Sequence, residues 1–311
     1  MRIYISKANE SWIVDRFREE WYEQNPQYST KNIFFADLIW IISPWTIRKS
    51  MFNLIKNKIK NKKVICTIHH IDEENFKELD KENFEYLDEF VDIYHTISKK
   101  SHDSLKKLTN KKIYNIPFWV DPKKWFYIDK KDDLRKKYGF SPNDYLIGSF
   151  QRDTEGKDLI SPKLIKGPDV FIEIVKNKLT SQKNLKVVLT GKRRQFIINE
   201  LKKSNIEFKY FEMIDFASLN ELYNILDLYV VSSRIEGGPQ AILECASARV
   251  PIISTDVGIA SQILSSKSIY NIKEEDNAVA DIETQFRNVQ KYYIPKGMEE
   301  FLEMFNGLYE S

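Results

Sequence analysis

Residues 232–258 read Ser232-Ser233-Arg234-Ile235-Glu236-Gly237-Gly238-Pro239-Gln240-Ala241-Ile242-Leu243-Glu244-Cys245-Ala246-Ser247-Ala248-Arg249-Val250-Pro251-Ile252-Ile253-Ser254-Thr255-Asp256-Val257-Gly258. An apolar run ends at Ser232, a glycine pair turns the chain, and Pro239 stands where a first helical residue belongs. Its fixed φ and missing amide suit that position. The stretch therefore reads strand, turn, helix, with the helix starting at about 239 and a further strand at 251–255. Gly237 and Gly238 let backbone approach a ligand closely, and the free amides and dipole at the helix start favour an anion such as a diphosphate. Glu236 precedes the turn at the strand's C-terminal edge and Glu244 sits in the second turn of the helix. Both carboxylates can then face the crevice in which open α/β sheets bind ligands, and carboxylates accept the paired hydroxyl hydrogen bonds that sugars and riboses offer. Taken singly, Glu236 reads equally well as a loop cap and Glu244 as a solvated helix residue. Their conjunction with Thr255-Asp256-Val257-Gly258 on the next strand and turn favours a site.

Working outward, short apolar runs rich in Ile, Val and Tyr alternate with longer amphipathic stretches, as βα units feeding a parallel sheet require. Strands are expected near 2–6, 36–43, 64–69, 92–97 and 112–117, with helices near 10–22, 46–60, 73–90 and 99–108. From Pro117 through Lys137 the periodicity breaks, and an interdomain linker is expected there. Strands resume at 145–150, 185–190, 208–213, 227–232 and 251–255, with helices near 168–178, 193–203, 218–225 and 239–248. Two tail helices, 277–292 and 297–309, flank Ile294-Pro295. The expected domains are 1–125 and 140–290, and the C-terminal helix at about 297–311 is able to pack back on the first.

A chain of 311 residues is long enough for two such cores, and 42% hydrophobic with 13% aromatic content excludes a disordered polymer. With 48 Lys+Arg against 45 Asp+Glu, the formal net charge of +3 demands no nucleic-acid partner. Lysines crowd 56–63 and 99–112, which reads as exposed helix ends or as an attraction for anionic headgroups. Cys66 and Cys245 both lie in apolar stretches and give no disulfide or metal spacing. No signal-peptide core or membrane-spanning run is apparent, so a cytoplasmic location is expected, with the inner face of the membrane as a variant of it.

At Glu236-Gly237-Gly238-Pro239-Gln240-Ala241-Ile242-Leu243-Glu244, then Pro251 and Thr255-Asp256-Val257-Gly258, the chain resembles the retaining GT-B glycosyltransferases of the glycosyltransferase group 1, or family four, type. The resemblance implies an α/β GT-B fold of two Rossmann-like domains facing across a cleft. It implies transfer of a sugar from a nucleoside-diphosphate sugar to a hydroxyl acceptor with retention, in polysaccharide, glycolipid or other glycoconjugate synthesis. Glu236 would contact the transferred sugar and Glu244 the ribose hydroxyls. Gly237, Gly238, Pro239, Gln240 and Ala241 would form the donor-binding turn, with the amides from Gly238 to Ala241 receiving the pyrophosphate. Many members have a second glycine where this chain has Pro239.

The same resemblance covers Gly148-Ser149-Phe150-Gln151-Arg152 and Lys166-Gly167-Pro168-Asp169, assigning Arg152 and Lys166 to the departing diphosphate. Lys163, in the long intervening loop, could substitute for Lys166. In the N-terminal half, Val64-Ile65-Cys66-Thr67-Ile68-His69-His70 is similar to the family's strand ending in Thr-x-His. His69, favoured over His70, would lie near the transferred sugar. Asp92-Ile93-Tyr94-His95-Thr96-Ile97-Ser98 looks like a later family strand, and Phe118-Trp119 replace the usual Asn-Gly. His95 and His102 read as structural or exposed. The glycine-rich loop common after the first strand is absent from 6–12, so acceptor contacts at Asn9 and Trp12 compete with plain helix capping by Ser11.

No Asp-x-Asp clamp occurs, so no metal is expected, and Arg152, Lys166 and the helix start would stabilise the leaving group. The expected partners are a nucleotide-sugar donor and a carbohydrate or lipid-linked acceptor, with peripheral membrane contact through the lysines and no nucleic acid. Competing readings are a GT-B-like phosphorylase or sugar-nucleotide epimerase, glycosidase-like use of the two glutamates, and a non-catalytic anion- or nucleic-acid-binding module.

Overall fold

The computed structural model describes residues 1–9, 13–44, 61–156 and 158–311. The helix expected at 46–60, the lysines at 56–60, Ser11, Trp12 and Lys157 lie outside the described residues. The chain forms two compact units, Met1–Phe118 with Ile294–Ser311, and Trp119–Tyr293.

The first unit holds β1 (Ile3–Ile5), β2 (Leu38–Ile41), β3 (Lys63–Ile68), β4 (Ile93–Thr96) and β5 (Ile113–Asn115), all parallel in the order β1-β2-β3-β4-β5. Strands β2 and β4 are buried at every residue, as continuous apolar runs covered on both faces should be. A directional polar chain crosses this core. Trp40 Nε1 donates to Thr67 Oγ1 at 2.8 Å, Thr67 Oγ1 lies 2.9 Å from His95 Nδ1, and His95 Nε2 lies 2.7 Å from the Ile116 carbonyl. A carbonyl can only accept, so Nε2 carries the ring proton and Nδ1 accepts from Thr67. Burial pushes the His95 pKa down to about 3, which keeps the ring neutral.

The tail helix Glu299–Tyr309 belongs to this unit. Phe301, Met304, Phe305 and Leu308 form its buried stripe, the i, i+3, i+4, i+7 spacing of a helix face. Phe305 meets Trp21 edge-on at 5.1 Å, and Phe301 lies 5.4 Å from Trp40. Phe118 stacks on Phe17 at 4.0 Å, so the aromatic residue standing in place of the family's Asn is a core anchor.

The second unit holds β6 (Tyr145–Ser149), β7 (Leu185–Thr190), β8 (Phe208–Phe211), β9 (Leu228–Val231), β10 (Ile252–Thr255) and β11 (Ile269–Tyr270). All are parallel, in the order β11-β10-β9-β6-β7-β8. The chain starts in the middle at β6, builds outward through β7 and β8, then returns to the other side of β6 with β9. That reversal makes β6/β9 the topological switch point, and the loops leaving these two strands flank the crevice such a point creates.

From Trp119 on, the segment read as a linker belongs to this unit. Lys131–Lys137 is a helix with Asp132 and Asp133 in its first turn and Arg135, Lys136 and Lys137 in its last. That charge order complements the helix dipole. Arg135 is buried and donates to the Ile225 carbonyl at 2.9 Å, while Trp125 is fully buried. The Ile128 amide donates to Asn224 Oδ1 at 2.8 Å. Cys66 and Cys245 are both fully buried free thiols, and burial raises their pKa values.

Candidate functional site

The loops after β6 and β9 are joined by the segment that enters the helix Pro168–Ser181. Gly167 caps this helix in the left-handed region, φ 59°, and a Cβ there would fall 1.8 Å from the Ser232 carbonyl oxygen, so only glycine fits. The amides of Arg234 and Ile235 donate to the Ile165 carbonyl at 2.8 and 3.1 Å. Gln151 Nε2 donates to the Lys166 carbonyl at 2.8 Å, and Ser233 Oγ donates to Gln151 Oε1 at 3.1 Å. Arg234 grips Asp169 in a two-pronged pair at 2.8 and 2.6 Å. The guanidinium helps hold the Asp169 carboxyl below its ordinary pKa, against the opposing pull of burial.

These contacts bring Lys166 to Glu236. Lys166 Nζ donates to Glu236 Oε1, and each side chain is 14% exposed. Ser233 Oγ lies 3.4 Å from the same carboxylate oxygen. Arg152, three residues beyond β6, and Lys163 are both partly buried on this edge, and the Lys163 amide donates to the Asp153 carbonyl at 2.8 Å. Asp153 anchors the loop from beneath. Arg194, fully buried, donates to Asp153 Oδ2 at 2.8 Å and to the Ser149 carbonyl at 2.6 Å, and the Phe196 amide donates to Asp153 Oδ1 at 3.2 Å. Burial lifts the Asp153 pKa and lowers that of Arg194, while their mutual attraction opposes both shifts.

The turn itself departs by one residue from expectation. Pro239 is the cap, with ψ 108°, and the helix runs Gln240–Ser247. The extended ψ delays the helical turn, so Gln240 and Ala241 carry the first amides without an intrahelical acceptor. The Ile242 amide is occupied by the Pro239 carbonyl at 3.0 Å. Gln240 is tethered through its side chain, Nε2 donating to the Trp119 carbonyl at 2.7 Å. The Thr-Asp-x-Gly segment braces the turn. Thr255 Oγ1 donates to the Ser233 carbonyl at 2.6 Å, and Gly258, φ 57°, packs where a Cβ would come within 2.7 Å of the Gly237 carbonyl oxygen and Pro239 Cδ. Gly237 is buried and Gly238 partly exposed within this turn. Glu244 is only 5% exposed, and it accepts from the Tyr223 hydroxyl at 2.8 Å.

Lys166, Glu236, the glycine turn and Glu244 thus gather at one switch point within one unit. His69 belongs to the other unit, at the end of β3, where Nε2 lies 2.8 Å from the Ile42 carbonyl and the ring stacks on Phe118 at 6.1 Å. His70 is exposed, His95 is buried in the core, and His102 is partly exposed beside Asp103. Reading the sequence missed Arg234–Asp169, Gln151, Ser233, Tyr223 and Arg194–Asp153, because each acts through a partner distant in the chain. The Ser233-Arg234 pair stood inside the decisive stretch and could have been singled out.

Residues 160–286 match the model of the family Glycosyl transferases group 1. The chain is 24% identical over 156 residues to the lipopolysaccharide core biosynthesis mannosyltransferase LpsB of Rhizobium meliloti, a match spanning 48% of this chain but only 42% of that relative. Anabaena Alr3699/HepE, solved in complex with UDP and glucose, superposes with TM-score 0.76 at 12% identity, covering 98% of this chain and 99% of that one. Sucrose-phosphate synthase from Thermosynechococcus elongatus gives TM-score 0.71 at 13% identity, covering 94% and 77%. A glycosyltransferase from Rickettsia africae gives 0.65 at 16%, covering 98% and 84%. The solved structures share the fold of two parallel-sheet α/β domains, and the sequence match falls on the unit that holds the glutamates. The chain therefore has the GT-B fold, and its C-terminal unit carries a segment similar to the glycosyl transferases group 1 family.

Proposed function

We propose that the chain is a retaining glycosyltransferase that moves a sugar from a nucleoside-diphosphate sugar to a hydroxyl acceptor in polysaccharide, glycolipid or other glycoconjugate synthesis. The carrying observation is the convergence of Lys166, Glu236, the Gly237-Gly238-Pro239 turn and Glu244 on the β6/β9 switch point. Lys166 exchanges Glu236 for the donor diphosphate, with Arg152 and the helix-start amides completing the anion seat and Lys163 in reserve. Glu236, once released, holds the transferred sugar, and Glu244 the ribose. Charge accumulating on the leaving diphosphate is met by these fixed cations and amides without a divalent metal. A donor phosphate oxygen takes the acceptor proton on the face from which the diphosphate departs. His69 in the first unit orients a sugar hydroxyl. The UDP held by Alr3699/HepE makes UDP the first nucleotide to try.

A thermal-shift panel of UDP, GDP and dTDP and their sugars, repeated with EDTA, tests this reading. A nucleotide at a hundred times its Kd stabilises the fold by about 2.7 kcal/mol. The shift should vanish in Glu244→Ala and survive EDTA. If no nucleotide shifts the wild type, the donor site is wrong. If phosphate plus donor yields product without acceptor, the phosphorylase reading replaces transfer.

Among the described residues no helix is long and apolar enough to cross a membrane. Peripheral contact at the inner membrane face is part of the proposal, through the N-terminal lysines. Supporting it, Phe34 and Phe35 are 56% and 59% exposed, and Lys62 donates to the Phe34 carbonyl. Flotation with anionic liposomes should be lost on charge reversal of the lysines at 56–63, and unchanged flotation removes the contact.

A further inference from the structure

Tyr223 lies in the last turn of the helix Phe216–Asn224, 2% exposed, with its hydroxyl on Glu244 Oε2 at 2.8 Å. Its ring is boxed on three sides, 4.9 Å from Phe150, 5.4 Å from Tyr229 and 5.8 Å from Trp125. Tyr229 is itself pinned, its hydroxyl accepting from the Phe150 amide at 3.0 Å. The box is built on the chain just past β6, immediately before Gln151 and Arg152. Packing of this kind fixes the phenol direction, and a fixed phenol can fix a carboxylate. Burial, with the neighbouring Glu244 charge, pushes the Tyr223 pKa well up, so the hydroxyl remains a donor.

We propose that Tyr223 is the positioning residue of the ribose clamp: boxed by Phe150, Tyr229 and Trp125, it holds the Glu244 carboxylate in the one orientation that receives the ribose hydroxyls. The proposal rests on the donor-site reading above and deepens it. A glutamate has several side-chain torsions to freeze on binding, and a preset carboxylate avoids that entropy loss. The sequence pattern names Glu244 alone. The geometry adds a second residue, 21 positions away, that decides how well Glu244 works.

The test is titration calorimetry of UDP, 2′-deoxy-UDP and inorganic pyrophosphate against wild type, Glu244→Ala, Tyr223→Phe and the double variant. If the thermal panel selects GDP, GDP and its 2′-deoxy form replace the uridine pair. Wild type should prefer the ribonucleotide, and Glu244→Ala should erase that preference. Tyr223→Phe should weaken UDP about tenfold, the worth of a hydrogen bond to a charged group, and contract the ribo/deoxy ratio. Pyrophosphate affinity should hold, and Tyr223→Phe should cost nothing more in the Glu244→Ala background. Should Tyr223→Phe fail to fold, Phe150→Leu loosens the box while keeping both polar partners, and the same contraction is expected. A ratio unchanged in the variant that folds overturns the proposal, as does a fall in UDP and pyrophosphate together. If Glu244→Ala keeps the wild-type ratio, the donor-site reading itself fails, whatever Tyr223→Phe does.

Discussion

The two units use the same parallel α/β plan and spend their buried polar groups differently. In the first, strands follow one another across the sheet from β1 to β5, with no reversal. Its polar chain Trp40–Thr67–His95–Ile116 is sealed within the core, with every side chain in it fully buried. In the second, the reversal at β6/β9 opens the sheet edge, and Lys166, Glu236 and Gln151 cluster there with partial exposure around the buried Ser233. A sealed network satisfies itself and stabilises. A network at a switch point leaves groups that a ligand can compete for.

Substitutions can break this contrast. The largest effect is expected from Arg194→Met, which leaves Asp153 buried without its partner under the switch point. Removing one member of a buried ion pair costs about 3–5 kcal/mol, and urea unfolding should show it. A loss below 1 kcal/mol would mean that the pair is not holding the β6 loop.

Next comes acid. His95 is neutral in the fold, with a pKa near 3, whereas an unfolded histidine takes up its proton near 6.5. The folded pKa is depressed, so its stability contribution is present above pH 6.5 and is lost as pH falls towards 3. The loss reaches about 3 kcal/mol at pH 4. Unfolding titrations of His95→Gln should show a shallower acid limb than wild type, and an equal slope would contradict the sealed network.

His69→Ala sharpens the division of labour between the units. Losing one hydroxyl contact should lower kcat about tenfold, while UDP affinity, assigned wholly to the second unit, should stay within about twofold. A parallel fall in UDP affinity would merge the two roles. Smallest is Arg234→Ala. Its pair with Asp169 is 35% and 40% exposed, so stability should change by less than about 1 kcal/mol. UDP affinity should still fall several-fold, because the loop carrying Glu236 loses its brace. Equal affinity would show that the backbone bonds to Ile165 suffice.

The strands were legible because a strand covered on both faces must be continuously apolar, as Ile39, Val64, Val187 and Val230 are. Strand β11 escaped because Ile269–Tyr270 is too short to show a period. The helix Lys131–Lys137 escaped because its charges look like a break in periodicity, when their order from acidic to basic is what a short helix wants. At the site, the spacing of Glu236 and Glu244 was legible because one turn and one helix carry both. Arg234–Asp169, Tyr223–Glu244 and Asp153–Arg194 were not, because folding pairs residues whose separation along the chain carries no period.

The tail helix has a consequence for synthesis. Phe301 and Phe305 complete the aromatic centre around Trp21 and Trp40, yet they are translated after the whole of Trp119–Tyr293. A ribosome therefore delivers the second unit entire while the first still waits with an unfilled seam. The order of maturation reverses the order of translation, and the nascent first unit must stay clear of aggregation until its last helix arrives.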